Sequence, residues 1–485
     1  MRSRRRRYRG RTVAGALTAL LAVVFIGGVV AIPLSRTVGF LQHTVNMKNP
    51  VSAVRGQVAP PPGSIAWKLQ HGQQVNILVL GYGGQENDSP WLSDTLMAVS
   101  FDPASHRIAE ISIPRDLYVD IYAWPNGGSV DEKINTAFQV GNQPDVWGGG
   151  PLLPQYQGKD GPGHLVEATI SRLTGLSFDG YVAVDFRAFR DLVDALGGIQ
   201  VTMQEPLDDC HYPDYSDGYL NGGVPVGEPC PPGAGIHFRA GTYRVNGEQA
   251  LEIARSRDAE EPDQASDFGR ARRQQMILAA VRQRATSING ITKAPAMMDA
   301  LQQDLETDLD LSSITAIYHF GAQLKDSSFI HLAVTDQNLV QDIEPYSGGT
   351  CGSIDAFALC PEDPTYRTWH NEFSHLFIDH RTLAEQAPVQ LVNANAVSGD
   401  LPNRLASLLQ PLGLDLAGGV QGPPRASTVV YDLSGSEGAN TAAWLGDYFG
   451  APVVQGPDPK PVPGEATTGV VVSLGDDFAN RFYGS

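Results

Sequence analysis

Five arginines lie between Arg255 and Gln274, in the order Arg255-Ser-Arg257 and then Asp267-Phe-Gly-Arg270-Ala-Arg272-Arg273-Gln274. The chain that holds them is acidic, with 35 Lys+Arg against 53 Asp+Glu, so crowding cations here costs self-repulsion that a strong anion would relieve. Guanidinium is a planar fork that meets phosphate oxygens in pairs and stays charged at any ordinary pH. Two other short segments share this logic. Ser93-Asp94-Thr95 opens one predicted strand and Ile113-Pro-Arg115-Asp116 closes the next, so a hairpin would bring both to one sheet edge. Asp94 and Asp116 could there hold Mg²⁺, which prefers oxygen ligands and completes its shell with water and substrate phosphates. Lys133 is a further cation for the same phosphates. Taken singly, each feature also has an ordinary reading: an Arg-rich helix face is commonly a solvated surface, and an Asp at a strand end commonly caps a turn.

The elements that must carry these residues are legible in the hydrophobic pattern. Val75-Asn-Ile-Leu-Val-Leu80 is an apolar run but for Asn76, bounded by Gly81, which predicts a buried strand, with 95–101 and 108–113 as its neighbours. Leu165, Val166, Thr169, Ile170 and Leu173 recur at helical spacing before Gly175. A strand at 181–186, a helix at 189–196 and a strand at 199–203 follow. Helices are expected at 247–254 and from Gly269 to about residue 284. On the latter, Arg270, Arg273 and Gln274 share one face, and Met276, Ile277, Ala280 and Val281 form a core-facing side. The region 205–240 reads as a long loop, and helical stretches are expected near 296–303 and 312–324. Residues 388–480 have their own texture, a β-α-β-α-β unit with helices at 401–412 and 437–448. Strands alternating with helices predict a layered α/β/α domain with a mixed central sheet, followed by a small C-terminal α/β domain. His164, His211 and His237 are isolated and read as structural or surface residues. No phosphate-binding glycine loop and no Gly-x-Ser-x-Gly elbow occurs.

The N-terminus places this chemistry. Residues 1–12 carry seven arginines and no acid, and 13–34 run uncharged for 22 residues, enough for a helix to cross a bilayer core of roughly 30 Å. The flanking arginines predict a cytoplasmic N-terminus, an uncleaved single transmembrane helix and an extracytoplasmic remainder joined by a stalk over 35–70. The four cysteines fall in two close pairs, Cys210 with Cys230 and Cys351 with Cys360, which suggests two disulfides stapling two loops. Setting the seven N-terminal arginines aside leaves 28 basic against 53 acidic residues, which argues against a nucleic-acid partner.

The whole set of segments resembles the LytR-CpsA-Psr family of cell-wall glycopolymer ligases. The likeness rests on Asn76-Ile-Leu-Val-Leu-Gly81, Ser93-Asp94-Thr95, Ile111-Ser-Ile-Pro-Arg-Asp116, Lys133-Ile-Asn135, Leu192-Val-Asp-Ala-Leu-Gly-Gly-Ile199, Asn246-Gly-Glu-Gln-Ala-Leu251, Ala254-Arg-Ser-Arg257, and Asp267-Phe-Gly-Arg270 with Arg273-Gln-Gln275. It implies a catalytic domain over 71–380, and 388–480 is similar to the small C-terminal domain that accompanies many members. It implies a membrane-anchored phosphotransferase that moves a glycopolymer from a polyprenyl-pyrophosphate carrier to a peptidoglycan hexosamine hydroxyl through a phosphodiester. Position by position, Asp94 and Asp116 would bind Mg²⁺. Arg115, Arg255, Arg257, Arg270 and Gln274 would hold the pyrophosphate, with Lys133 and Arg273 nearby. One departure stands out: Leu92 occupies a position where the family usually has arginine. A lipid pyrophosphatase and a non-catalytic lipid-phosphate-binding scaffold of wall assembly are the rival readings.

Overall fold

The computed structural model describes residues 60–485 apart from 85–88, 213–223, 225–228, 230, 232, 257, 266, 286–304, 322, 344–350, 353–356, 436 and 485. The expected membrane span, the basic tail, most of the stalk, the helix near 296–303, Arg257 and Cys230 lie outside the described residues. Among the described residues no helix is long and apolar enough to cross a membrane.

The first element among the described residues is a short helix, α1 (Ile65–Gln70), capped by the Ser64 side chain. Its Ile65 is buried against the sheet and its Lys68 pairs with Asp179, so the last part of the expected stalk belongs to the folded unit. Three strands follow in a meander: β1 (Val75–Tyr82), β2 (Ser93–Asp102) and β3 (Arg107–Ile113). β1 is apolar from Ile77 to Leu80 because both of its faces are covered, and the buried Asn76 donates to the Ser177 carbonyl at 2.8 Å. Leu78 and Leu80 enter one core layer, while Val75, Ile77 and Val79 enter the other.

A hairpin that the periodicity did not disclose comes next, β4 (Tyr118–Trp124) with β5 (Gly128–Lys133). Its signal was present: Val119, Ile121 and Ala123 alternate inward, and Asn126-Gly127 makes the turn. The chain continues through α2 (Ala137–Asn142), α3 (Gly161–Thr174), β6 (Gly180–Asp185), α4 (Phe186–Ala195) and β7 (Ile199–Met203). The expected loop at 205–240 contains a small hairpin of β8 (Leu207–Asp209) and β9 (Ile236–Phe238). Then come β10 (Gly241–Val245), α5 (Gly247–Arg255), α6 (Pro262–Ala265) and α7 (Asp267–Ala285). The unit is completed by β11 (Leu305–Thr307), α8 (Leu311–Gly321), β12 (Phe329–Ala333), and the hairpin β13 (Val340–Ile343) with β14 (Ala358–Pro361).

Six of these strands form the central sheet in the order β11-β6-β1-β2-β3-β12. β1 is parallel to β6 and antiparallel to β2, and β3 is parallel to β12, so the sheet is mixed. Leu165, Val166 and Ile170 of α3 cover one face. Leu192 of α4, Ile253 of α5, Ile277 and Val281 of α7, and Ile317 of α8 cover the other. The result is a layered α/β/α arrangement.

Two short helices, α9 (Arg367–Ser374) and α10 (His380–Glu385), lead to the C-terminal unit. Its elements are β15 (Pro388–Asn393), α11 (Leu401–Leu412), β16 (Asp415–Gln421), β17 (Val429–Asp432), α12 (Ala439–Phe449), β18 (Val453–Gln455), β19 (Val470–Leu474) and α13 (Asp476–Phe482). The five strands order as β16-β15-β19-β17-β18, two strands and one helix more than the β-α-β-α-β pattern predicted. β16 and β18 are exposed sheet edges with mixed residues, which hides them from a periodicity search. The two units share one hydrophobic cluster, in which Leu405 and Leu409 of α11 join Ile330 and Leu332 of β12. Polar clasps frame that joint. Arg107 Nη1 donates to the Leu412 carbonyl at 2.9 Å, Arg404 meets Glu362 at 2.8 Å, and the buried Tyr448 hydroxyl donates to Glu372.

Candidate functional site

The β2–β3 register pairs Leu96 with Ile113 and Asp102 with Arg107. Continued two residues past the ladder, that register sets Asp94 opposite Arg115, and their side chains form an ion pair. The Arg115 guanidinium also reaches Asp116, with Nε 3.4 Å from Oδ2. The β4–β5 hairpin pairs Tyr118 with Lys133, which brings Lys133 Nζ to 3.0 Å from Asp116 Oδ1. Backbone bonds fix the dipeptide from both sides: Asn135 N–H donates to the Arg115 carbonyl at 3.2 Å, and Leu359 N–H to the Asp116 carbonyl at 3.0 Å. Asp116 is 7 % exposed. Burial pushes its carboxyl up, but Arg115, Lys133 and Arg270 outweigh that and hold it below the usual carboxylate range.

α7 closes the site from above. Arg270 and Gln274, four residues apart, line a cavity of about 260 Å³ together with Asp94, Thr95, Arg115, Thr335, Asp342, Phe357 and Leu359. Asp342, Phe357 and Leu359 were not foreseen. They arrive on the β13–β14 hairpin, whose connection is closed by the Cys351–Cys360 disulfide. Cysteine spacing located that staple but said nothing of what it presents. The other cysteine pair is not comparable, since Cys230 lies outside the described residues, while Cys210 is buried.

Not all the expected site residues meet at this cavity. Arg273 turns the other way and is 3 % exposed. Its Nε donates to the Ile253 carbonyl at 2.7 Å, Nη1 to the Gln264 carbonyl at 2.6 Å, and Nη2 to the Ser256 carbonyl. The expectation that Arg273 joins Arg270 and Gln274 on one face therefore needs correcting. Neighbouring helix residues diverge by about 100°, and Arg273 falls into the seam between α7 and the segment after α5. Burial, then the charge of Arg270, lowers its guanidinium to about 10. On the far side of the same segment, buried Asp209 accepts from the Ser256 hydroxyl at 2.7 Å and from Asp258 N–H at 3.2 Å. Arg273 and Asp209 thus grip the stretch around Arg255 and Asp258.

Arg255 ends α5 with its guanidinium 4.4 Å from the Phe186 ring centroid, a cation–π contact, and it is not among the cavity's lining residues. Arg257 lies outside the described residues. Arg272 is exposed and donates to the Asp263 carbonyl at 2.9 Å, as its different helix face predicts. Leu92 is half-buried just before the Asp94 strand edge and supplies no charge there.

A pocket walled by Asp94, Arg115, Arg270 and Gln274, with Asp116 and Lys133 behind it, matches the segments that suggested a family from sequence. The family model described as LytR_cpsA_psr matches residues 35–349, well over half of the chain. The chain belongs to the LytR_cpsA_psr family. It is similar to the polyisoprenyl-teichoic acid–peptidoglycan teichoic acid transferase TagU of Oceanobacillus iheyensis, with 30% identity over 50% of this chain and 61% of that protein. The transferase of the same name in Bacillus cereus is 26% identical over 60% of this chain and 77% of its own length. TagV of Bacillus subtilis is 28% identical over 51% and 52%. The crystal structure of B. subtilis TagV aligns with 62% of this chain and 96% of its own at 23% identity and a TM-score of 0.42. A structure of TagT bound to LI-WTA aligns with 62% and 89% at 21% identity and a TM-score of 0.40. Residues 350–485, including the whole C-terminal unit, fall outside the family match.

Proposed function

We propose that this family member is a membrane-anchored phosphotransferase that moves a glycopolymer from a polyprenyl-pyrophosphate carrier to a peptidoglycan hexosamine hydroxyl. The observation that carries the reading is a cavity lined together by Arg115, Arg270, Gln274 and Asp94. Three of these residues offer N–H donors to an anion, and the buried Asp116 behind them is already balanced by cations. The names of the TagU and TagV relatives, which transfer polyisoprenyl-linked teichoic acid to peptidoglycan, support the same class of donor and acceptor.

In this reading the arginines bind the pyrophosphate bidentately, and the Gln274 amide fixes its orientation. The acceptor hydroxyl oxygen attacks the sugar-bearing phosphorus. The bond from that phosphorus to the bridging oxygen breaks, polyprenyl monophosphate leaves, and the hydroxyl proton passes to solvent or a nearby carboxylate. Phosphoryl transfer needs positioning and stabilisation of spreading negative charge rather than covalent help, which suits a wall of fixed guanidiniums. Leu92 removes one phosphate contact that the family arginine would make, so Arg115 and Arg270 carry more of that charge here.

Asp94 and Asp116 converge on one cation, Arg115, and a pair of carboxylates beside a phosphate subsite is the donor set that suits Mg²⁺. When bound there, Mg²⁺ would supply Lewis-acid charge to the transferred phosphoryl group. The arginine-flanked apolar run at 13–34 supports a single-pass anchor with the folded part outside the cytoplasm. The C-terminal unit supports the catalytic unit through the shared core.

The test incubates the full-length protein in detergent with a polyprenyl-pyrophosphate glycan donor, a peptidoglycan oligomer and Mg²⁺. Glycan linked to the acceptor through phosphate is the expected product. Release of inorganic phosphate or lipid monophosphate without linkage would instead make the protein a lipid pyrophosphatase. Donor binding with no turnover would make it a scaffold.

A further inference from the structure

A second group of titratable side chains meets away from the cavity, where α3 crosses the start of β6 and the end of β11. His164 and Glu167 lie one turn apart on α3, and Asp308 directly follows β11. One ligand atom from each lies within 4.8 Å of the other two, and among the described residues no other trio of His, Cys, Asp or Glu converges so closely. His164 Nε2 stands 3.4 Å from Asp308 Oδ2. That is longer than a good N–H···O hydrogen bond of about 2.7–3.2 Å. It is the ligand-to-ligand edge of a tetrahedron around Zn²⁺ with bonds of about 2.0–2.1 Å, which is about 3.4 Å.

The surrounding contacts are those that orient metal ligands. Asp308 Oδ1 accepts the Tyr181 N–H at 2.8 Å, which leaves Oδ2 for a cation. His164 Nδ1, on the other side of the ring, lies 3.4 Å from the Gln155 carbonyl, so Nε2 is the nitrogen turned toward Asp308. Glu167 Oε1 is shielded from solvent and has no hydrogen-bond partner. The charges around it are negative. Burial, then Asp308 and Asp179, pushes the Glu167 carboxyl up to about 8, and burial raises Asp308 as well. Asp160 stands 3.4 Å from the Tyr181 hydroxyl at the rim. The nearby lysines meet other acids, Lys159 acting on Glu306 and Lys68 pairing with Asp179.

We propose that His164, Glu167 and Asp308 form a Zn²⁺ site, with water as the fourth ligand, that clamps α3 to the edge strand β11. The imidazole ligand selects a transition-series ion over Mg²⁺ or Ca²⁺. His164 has a side chain 38% exposed, so the ion can enter from solvent. The register opposes Gly180 to Ile77 and Tyr82 to Ser93, which puts this corner toward the end of the sheet away from Asp94. The role is therefore structural, and it does not depend on the transfer reaction.

Full-length protein without a polyhistidine tag, stripped with chelator and titrated with Zn²⁺ near pH 8, should take up one ion per chain. Its Tm should rise by roughly 5 °C at saturation. Co²⁺ in the same protein should show the intense visible bands of a tetrahedral site. Glu167→Gln and the exposed His164→Gln should each weaken Zn²⁺ binding by at least tenfold, abolish the cobalt bands and leave glycan transfer unchanged. Failure of the wild-type protein to bind Zn²⁺ overturns the proposal. So does binding that both variants retain, or a preference for Mg²⁺ over Zn²⁺. Should Glu167→Gln fail to fold, the exposed His164→Gln variant decides.

Discussion

Two carboxylate clusters stand at different places on one sheet, and they have opposite electrostatics. At the Arg115 pocket, Asp94 and Asp116 share one guanidinium, and Lys133 and Arg270 add to it, so a buried acid is held below its usual range. At the α3–β11 corner, Glu167 and Asp308 are similarly enclosed, and burial pushes both up, with neighbouring acids adding to the rise of Glu167. Residue type and burial are alike. The neighbours differ: desolvation favours the neutral acid at both places, and only at the pocket do adjacent cations outweigh it. A site that balances its acids with arginines is prepared for an anion together with the metal ion that accompanies it. One that crowds acids and a histidine together is prepared for a cation.

The largest expected effect comes from breaking the first cluster. Arg115→Ala should lower glycan transfer by about 10³-fold, the scale of losing a fixed donor to a developing anion, with circular dichroism unchanged. Activity within tenfold of wild type would remove the pocket from the mechanism. Next, Arg270 and Arg273 separate function from stability on one helix. Arg273→Met leaves three buried carbonyls without their donor and should cost about 3 kcal/mol in urea unfolding. Arg270→Met should keep its unfolding midpoint and lose about 10²-fold in transfer. Equal destabilisation by the two would dissolve the distinction.

A third test follows an acid with no cation beside it, Glu372 at the joint with the C-terminal unit. Burial raises it from 4.5 to about 8, although the Tyr448 hydroxyl works against that. The folded state holds the proton more tightly, so this stabilisation is complete below about pH 4.5, falls as pH rises through 8, and changes no further above that. Glu372→Gln should flatten that slope between pH 5 and 8 in chemical denaturation, and an unchanged slope would assign the pH dependence elsewhere. The smallest effect belongs to a solvent-exposed pair. Arg172 meets Asp120 at 3.2 Å with both side chains more than a third exposed, and Asp120→Asn should change stability by less than about 0.5 kcal/mol. A larger loss would mean that surface pairs matter in this fold as much as buried ones.

Much of the frame was legible without coordinates. The strands β1, β2, β3, β6 and β7 lie within two residues of their apolar runs, and α11 falls on its expected bounds at 401–412. Both core layers demand those runs, so the hydrophobic pattern reports them directly. Elements whose burial is partial escaped: α1 inside the supposed stalk, the β4–β5 hairpin, and the edge strands β16 and β18. Of the site, the meeting of Asp94 with Arg115 follows from hairpin register alone. The contribution of Asp342 does not, because β13 reaches the pocket from more than 200 residues along the chain.

The sequence by itself determined the chemistry on offer: an acidic chain with arginines gathered in one segment, two aspartates at strand ends, a helix with a polar and an apolar side, and the motif order of its family. Those are properties of composition, period and spacing, which the chain carries before it folds. Only the tertiary structure decided the division of labour. It turned Arg270 and Gln274 to the cavity and Arg273 into a brace, stacked Arg255 on Phe186, and drew His164, Glu167 and Asp308 together from two distant segments. The reason is geometric. About 60° of rotation on a helix, or the register of a strand formed hundreds of residues away, determines whether a charge faces a ligand, a carbonyl or another charge.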